Sequence, residues 1–344
     1  MNTLPSERAV TGFLRTQAFY LAVLLLVAAS VTYNISLMYR EDAPVRRGQA
    51  IDQKSLILQT AREDERTARR HPELVATRLA VGGMNVLLMI GGTAVLVALG
   101  FRLAMRGRVL HSHPARTAPW GLWDLLKVVA LFVAGTWVFR LIFTVPPIYS
   151  LMTVPGWAAE IFGRVLLIGA IVHVALGERH GQPEDLGLRG QTLRNIGIGL
   201  LGFLALQPIF WLIVAFQFRT MEEIPMQDAM QSLLLTQSPW VLGLGLFVAV
   251  VLAPISEELL FRGFLQPALE RWFGGAGAVL VAGLFFSMAH MDLHVLAPLL
   301  LLGLTLSYIF YRTRSLAGPI ALHMAFNAVA VSWILALKFP GFSH

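Results

Sequence analysis

The 344-residue chain is 56% hydrophobic and only 14% charged, and it has no cysteine and a formal net charge of +7. This balance excludes an ordinary water-soluble protein of that length, because too few polar side chains remain to cover the apolar ones. Without cysteine, disulfides, thiolate nucleophiles, iron–sulfur clusters and cysteine-based zinc sites are excluded. Cationic loops on the cytoplasmic side of a membrane explain the positive charge more simply than nucleic-acid binding does, so we expect no nucleic-acid partner.

Long apolar runs predict an all-α fold, a polytopic transmembrane helical bundle of eight or nine spans. A transmembrane helix needs about 20 mostly apolar residues. The candidate runs, of which the sixth and seventh are short, are Ala18–Met38, Leu79–Phe101, Leu122–Phe143, Trp157–Leu176, Asn195–Gln217, Trp240–Ala253, Ala278–Ala289, Val295–Tyr311 and Ala317–Leu337.

The first run also has features of a secretory signal. Arg8 and Arg15 precede it, and the small residues Ala28, Ala29 and Ser30 lie inside it. The apolar stretch is longer than the roughly 7–15 residues of a signal core, which favours an uncleaved first helix.

The distribution of Lys and Arg orients the spans by the positive-inside rule. Cationic connections after the second, fourth and eighth spans are predicted to be cytoplasmic, whereas the uncharged 144–156 connection and the acidic 222–228 connection are predicted to be external. With nine spans, the N-terminus is then cytoplasmic and the C-terminus external.

The segment Tyr39–Arg78 fits this scheme poorly, because it falls outside yet carries nine Lys or Arg against seven Asp or Glu. Acidic residues three or four positions from arginines favour a solvated helix with ion pairs on its surface. A substrate-docking or partner-binding element is the functional alternative. We expect residues 1–120 to form N-terminal spans with this charged segment, and residues 121–344 to form the core that carries the site.

Polar residues inside apolar sequence are the main functional signal, because ionisable groups in a hydrocarbon layer are costly and are rarely kept without a role. Isolated examples upstream are explained by snorkelling or structural hydrogen bonds; they are Arg140, Glu160, Arg164 and His173. From Val251 to Asn327, in contrast, several polar residues cluster within one stretch: Glu257, Glu258, Arg262, His290, His323 and Asn327.

Helical spacing predicts which of these side chains meet. Glu258 and Arg262 are four residues apart and can pair on one helix face, while Glu257 points about 100 degrees away. Phe286 with His290, and His323 with Asn327, are also four residues apart. We therefore expect three helices to direct polar side chains into one cavity, with Glu257 free for chemistry.

Such a set of residues is suited to amide hydrolysis. A glutamate and a histidine can take a proton from water, and a second histidine with an asparagine amide can stabilise an oxyanion. Glu257, His290 and His323 also make up a two-histidine, one-carboxylate set of the kind that binds catalytic zinc. Zinc therefore remains an alternative, although the chain has no H-E-x-x-H motif.

The three motifs, in this order, resemble those of the CAAX prenyl endopeptidase and bacteriocin-processing (CPBP, or Abi) intramembrane proteases. They are EExxxR at Glu257–Arg262, FxxxH at Phe286–His290 and HxxxN at His323–Asn327. The resemblance extends over about Asp185–Leu337. It implies that Glu257 and His290 activate the attacking water, that His323 and Asn327 stabilise the oxyanion, and that Glu258 and Arg262 hold the geometry. Members of the family have been classed as metalloproteases, although a glutamate-dependent mechanism is also favoured for them.

The expected function is therefore an intramembrane endopeptidase that opens towards the cytoplasm, since Glu257 follows the end of the sixth apolar run. Its expected partners are membrane lipids and a membrane-bound protein or peptide substrate. The arginine-rich, cysteine-free composition favours a bacterial inner membrane. A proton- or ion-coupled transporter and a non-catalytic membrane scaffold are the alternatives, but no repeated halves support a transporter.

Overall fold

A computed structural model describes residues 52–59, 72–105, 118–144, 156–188, 192–224 and 226–338. The first predicted span, Ala18–Met38, lies outside these residues, and so does the choice between a signal peptide and an uncleaved helix. In the described part the chain is helical, which confirms the predicted all-α bundle. In chain order the α-helices are α1 (53–59), α2 (Pro72–Ala104), α3 (Leu122–Thr144), α4 (Gly156–Val172), α5 (Thr192–Thr220), α6 (Asp228–Leu235), α7 (Pro239–Phe247), α8 (Ala253–Glu258), α9 (Gln266–Met288), α10 (Leu296–Thr313) and α11 (Ala317–Lys338).

Seven helical stretches in the described residues are long and apolar enough to cross a membrane. They are Ala76–Leu103, Leu122–Phe139, Trp157–Glu178, Thr192–Thr220, Pro239–Met288, Leu296–Thr313 and Ala317–Lys338. The second to fifth predicted runs and the last two each coincide with one stretch. The protein is therefore a multi-pass integral membrane protein.

The sixth and seventh predicted runs both fall within Pro239–Met288, a helical stretch of 50 residues. At 1.5 Å per residue it is about 75 Å long, more than twice the hydrocarbon thickness of about 30 Å. Gly274 breaks it, with φ 64° and ψ 176°, a backbone conformation that only glycine adopts readily. Two helical segments therefore meet at Gly274. The sixth helix does not end at Ala253 as predicted, but continues through the glutamates of the first motif.

Hydrogen bonds between distant parts of the chain assign the helix ends to two sides of the bundle. At one side Trp120 Nε1 donates to the backbone oxygen of Phe264 at 2.8 Å. At the other, Arg78 Nε donates to the backbone oxygen of Ala336 at 3.3 Å. Trp120 belongs to a connection predicted to be cytoplasmic, whereas Arg78 and Ala336 lie at helix ends predicted to be external.

Helix α1 belongs to the charged segment 39–78 and contacts the acidic connection after α5. Lys54 Nζ donates to the backbone oxygen of Met221 at 2.8 Å, and the Gln53 amide donates to that of Ile224 at 2.8 Å. Both segments are therefore on the same side, as the predicted topology requires. Most of the predicted solvated helix lies outside the described residues, and the membrane-crossing part of α2 already begins at Ala76.

Small residues allow the helices that carry the site to pack closely. A Cβ atom on Gly199 of α5 would lie 2.1 Å from the backbone oxygen of Gly318 in α11, and one on Gly303 of α10 would lie 2.7 Å from that of Gly283 in α9. Close backbone approach of this kind is typical of helix pairs in membranes.

We predict that Gly199→Ala destabilises the protein by about 1–3 kcal/mol, because the new methyl group forces α5 and α11 apart. Gly197→Ala on the same helix is the matched control, since a Cβ there meets nothing within 4 Å. Thermal unfolding in detergent measures the difference. Equal unfolding temperatures for the two variants would contradict the tight α5–α11 contact.

We also predict that Asp52→Ala releases α1 from the α5–α6 connection. The Asp52 carboxylate accepts hydrogen bonds from the backbone amides of Lys54 (3.1 Å), Ser55 (3.0 Å) and Ile224 (2.9 Å). Burial acts to raise the pKa of Asp52, but the hydrogen bonds from Ser55, Ile224 and Lys54 together outweigh it and hold the pKa below its ordinary value of 3.8. The contacts are therefore complete above that pH and are lost as the pH falls through the lowered pKa.

Amide hydrogen exchange measures this release. In Asp52→Ala, exchange at Ser55 and Ile224 should become faster at neutral pH, and wild type should approach the same rates only in acid after correction for intrinsic exchange. Glu222→Ala, which removes a carboxylate of the α5–α6 connection itself, is the control. Unchanged protection in Asp52→Ala would show that the carboxylate does not hold α1 in place.

Candidate active site

The predicted site residues come from three places in the bundle. Glu257 and Glu258 end α8, a short helix that lies between π-helical turns at Val248–Leu252 and Leu259–Leu265. His290 follows the end of α9, and His323 and Asn327 lie one turn apart on α11. π-Helical turns are rare, and they occur frequently at functional sites.

Glu258 joins Arg262 and His323 in a buried network. Arg262 Nη1 donates to Glu258 Oε1 at 2.9 Å, and both side chains are 0% exposed, as the four-residue spacing predicts. The Nδ1 atom of His323 lies 2.8 Å from the same carboxylate oxygen, and His323 is 3% exposed. Because a carboxylate is an acceptor, Nδ1 of His323 carries the proton. Glu258 therefore orients His323 as well as pairing with Arg262.

Glu257 points to a different set of neighbours. Its Oε1 accepts a hydrogen bond from Arg164 Nη1 at 2.9 Å, and its Oε2 lies 4.0 Å from Nε2 of His323. The Glu257 side chain is 18% exposed, in contrast to fully buried Glu258. The two adjacent carboxylates are thus separated as predicted, one in the interior and one facing a space that His323 also borders.

The ring of Phe286 lies at the centre of the remaining contacts. Its centroid is 4.4 Å from Arg262 Cζ, 5.1 Å from the ring of His290 and 5.5 Å from that of His323. The face of an aromatic ring attracts a guanidinium group and also packs against imidazoles. Phe286 therefore acts as a spacer that fixes the two histidines relative to the arginine.

His290 lies just beyond the helical part of α9 and is exposed. Its Nδ1 is 2.9 Å from the backbone oxygen of Phe286. A carbonyl oxygen only accepts, so Nδ1 donates, and Nε2 of the neutral ring keeps its lone pair. His290 thus presents a nitrogen that can accept a proton.

Asn327 makes a contact that its sequence motif does not predict. Its Nδ2 donates to the backbone oxygen of Ala249 at 2.8 Å, within the π-helical turn before α8. An amide nitrogen has two hydrogens, so one remains for another acceptor. Asn327 therefore also connects α11 to the helix that carries the glutamates.

Arg164 is the site residue that the sequence analysis missed. Its isolated position in the sequence predicts a snorkelling side chain. In the structure, however, its Nη1 donates to Glu257 Oε1 at 2.9 Å and to Ser256 Oγ at 3.1 Å. Its partner is 93 residues away along the chain, so no helical spacing could reveal the pair. The available signal was its position within an apolar span, four residues after Glu160, whose Oε2 lies 3.7 Å from Arg164 Nε.

The predicted zinc alternative does not fit the arrangement. Among the described residues, no group of three or more histidines and carboxylates is placed to hold a metal ion. Glu257, His290 and His323 therefore do not assemble as a ligand set.

The helix that carries Glu257 continues beyond the predicted end of the sixth span and reaches the break at Gly274. The apolar run ended early because Glu257, Glu258 and Arg262 lower the hydropathy, but these side chains are paired inside the protein. Phe264, seven residues after Glu257, bonds to Trp120 of a connection predicted to be cytoplasmic. The opening of the site towards the cytoplasm stays a prediction.

Comparison with known proteins agrees with the motifs. Residues 238–329 match the family model described as Type II CAAX prenyl endopeptidase Rce1-like. CAAX prenyl protease 2 of Rattus norvegicus is 34% identical over 95 residues, which cover 26% of this chain and 30% of that protein. The protein named "Putative membrane peptidase YdiL" of Bacillus subtilis strain 168 is 30% identical over 88 residues, which cover 26% of this chain and 36% of that protein.

The matched stretch of the family model contains all three motifs, which confirms the predicted resemblance over that segment. The chain spans about a third of the length of the curated relatives it matches. No solved structure matches it.

We predict that Arg262→Met destabilises the protein by about 3–5 kcal/mol, because it leaves the Glu258 carboxylate buried without its cation. Thermal unfolding in detergent checks this. The control is Arg179→Gln, whose partner Asp124 is also buried (3% exposed) but keeps Lys127 at 3.8 Å and the Gly121 amide at 2.9 Å, so this variant should lose clearly less stability than Arg262→Met. Adding Glu258→Gln to Arg262→Met should recover part of the loss. A similar small effect for Arg262→Met and Arg179→Gln would contradict the role of the buried pair.

Proposed function

We propose that the protein is an intramembrane endopeptidase that hydrolyses peptide bonds with water activated by Glu257 and His290. The observation that carries the proposal is the placement of the Glu257 carboxylate. It is mostly buried within an apolar helical stretch, with one oxygen bound by Arg164 and the other facing His323. A carboxylate in such a stretch is costly unless it has a function. The match of residues 238–329 to a peptidase family supports the same reaction.

The first step is the attack of water on the substrate carbonyl carbon. Glu257 Oε2 or the free Nε2 of His290 accepts a proton from the water as its oxygen forms the new bond to carbon. The carbonyl π electrons move to the oxygen, which becomes an oxyanion. No step needs a covalent enzyme intermediate, and none is assigned to a metal.

The oxyanion needs hydrogen-bond donors, and we assign this role to His323 and Asn327. Asn327 has one amide hydrogen left after its contact with Ala249. His323 donates its Nδ1 hydrogen to Glu258, so it can donate from Nε2 only as an imidazolium. Glu258 and Arg262 hold that ring in place without touching the substrate.

Collapse of the tetrahedral intermediate completes the reaction. The C–N bond breaks, and the proton taken from water passes to the departing nitrogen. The products are a carboxyl terminus and an amino terminus, and the two bases return to their original state.

Membrane-associated proteins or peptides are the substrate class that suits a site within a helical bundle. The name of the rat relative refers to CAAX prenyl substrates. We extend that to this chain only as a choice of probe, a farnesylated CAAX peptide with a fluorophore and a quencher on either side of the scissile bond.

We predict that Glu257→Gln lowers the rate of cleavage at least 100-fold while the protein still folds, because the amide cannot accept the proton from water. Cleavage is measured with purified protein in liposomes on the farnesylated probe, and in parallel by comparing new peptide termini in membranes from cells with intact or variant protein. Glu270→Gln is the matched control. It alters another carboxylate of the same helical stretch, one that is ion-paired with Arg314 at 2.7 Å.

Either of two results would overturn the proposal. One is cleavage by Glu257→Gln at the wild-type rate; the other is wild-type protein that neither cleaves the probe nor generates new termini. The second result would favour the scaffold, or the transporter if ion flux through the liposomes also depended on Glu257.

A further inference from the structure

The two neighbouring glutamates of the site each have an arginine, and the two arginines come from different parts of the chain. Arg262, one turn further along the same helical stretch, pairs with Glu258 at 2.9 Å, and both are 0% exposed. Arg164, from α4, pairs with Glu257 at 2.9 Å, and the two side chains are 23% and 18% exposed. The first pair is therefore interior, whereas the second borders the space where substrate would bind.

Arg164 holds only one of the two oxygens of Glu257. Its Nη1 donates both to Glu257 Oε1 and to Ser256 Oγ, so Ser256 also helps to fix the guanidinium. Ser256 is itself fixed, because its hydroxyl donates to the backbone oxygen of Ala253 at 3.0 Å. The other carboxylate oxygen, Oε2, is turned towards His323, 4.0 Å away.

Snorkelling does not explain this geometry. A snorkelling arginine extends along its helix to the membrane surface, where its head is hydrated. Arg164 instead turns towards α8, and its Nε is buried and has no hydrogen-bond partner. The guanidinium is thus partly removed from water, and its charge is offset by Glu257 at 2.9 Å and by Glu160, whose Oε2 lies 3.7 Å from Nε.

We propose that Arg164 is a positioning residue that selects Oε2 of Glu257 as the oxygen that takes the proton from water. This inference rests on the proposed peptidase function. By binding Oε1, Arg164 fixes the rotation of the carboxylate and leaves Oε2 directed at the reaction space. Its contribution therefore passes entirely through Glu257.

The test compares Arg164→Gln and Arg164→Lys with wild type on the farnesylated probe in liposomes. We expect Arg164→Gln to lower kcat by about 10–100-fold with KM changed by less than about 3-fold, since the variant loses orientation at the reacting group and not substrate binding. Lysine keeps the charge and one donor, so Arg164→Lys should recover at least half of that loss on a logarithmic scale. Arg179→Gln, which removes another inter-helical ion pair, should leave kcat unchanged.

A double variant separates positioning from general structural support. If Arg164 acts through Glu257, then Arg164→Gln combined with Glu257→Gln is no slower than Glu257→Gln alone. A purely structural role would instead give additive losses, a lower unfolding temperature for Arg164→Gln than for Arg179→Gln, and no rescue by lysine. Any of these three results would overturn the inference.

The same set of variants distinguishes failure of this inference from failure of the function. If Glu257→Gln abolishes cleavage and Arg164→Gln does not lower kcat, only the role of Arg164 is refuted. If Glu257→Gln cleaves at the wild-type rate, the peptidase mechanism is refuted and the role of Arg164 with it.

Discussion

The structure depends on one constraint: an ionised side chain inside a membrane-spanning helix needs a partner of opposite charge. Insertion of an unpaired charge at the centre of a span costs at least about 2.5–3.5 kcal/mol. Two adjacent glutamates double this insertion cost, and their like charges also repel each other. Each of them is paired with its own arginine, Glu257 with Arg164 of α4 and Glu258 with Arg262 one turn further along the same helical stretch.

Arg262 illustrates how this pairing also assembles the bundle. Besides Glu258, it donates through Nη2 to the backbone oxygen of Gly303 at 3.0 Å and lies over the ring of Phe286 at 4.4 Å. One guanidinium thereby contacts α8, α9 and α10 or their extensions. Since Glu258 also binds His323 of α11, the interior pair connects α8, α9, α10 and α11.

The parts of the site that follow from local helix geometry could be predicted from the sequence. Glu258 with Arg262, and Phe286 with His290, are pairs of one helical turn, and the structure has both in contact. Contacts that depend on how helices pack could not be predicted. Neither the approach of Arg164 to Glu257 nor that of Asn327 to Ala249 leaves a periodic trace in the sequence.

The span boundaries, too, could be predicted from the sequence only where helix packing does not affect them. Hydropathy alone locates the helices whose ionised side chains lie only near their ends, such as α5 and α11. It fails between Ala253 and Gly274, where buried ion pairs reduce the average hydropathy without ending the helix. Hydropathy treats every charge as exposed to lipid or water, and it cannot recognise charges that neutralise each other inside the protein.

The break at Gly274 divides the helical stretch Pro239–Met288 into two segments, or arms, that meet at a bend. Glu257 lies on the arm before the bend and His290 at the tip of the arm after it, so helix geometry does not set their separation. That separation is instead determined by how closely the second arm packs, through Phe286 against Arg262 and Gly283 against Gly303. A change of a few degrees at the bend would move the histidine relative to the carboxylate while leaving the Glu258–Arg262 pair intact. The Glu258–Arg262 pair is thus fixed by local helix geometry, whereas the distance from Glu257 to His290 is set by the packing of a second helical segment.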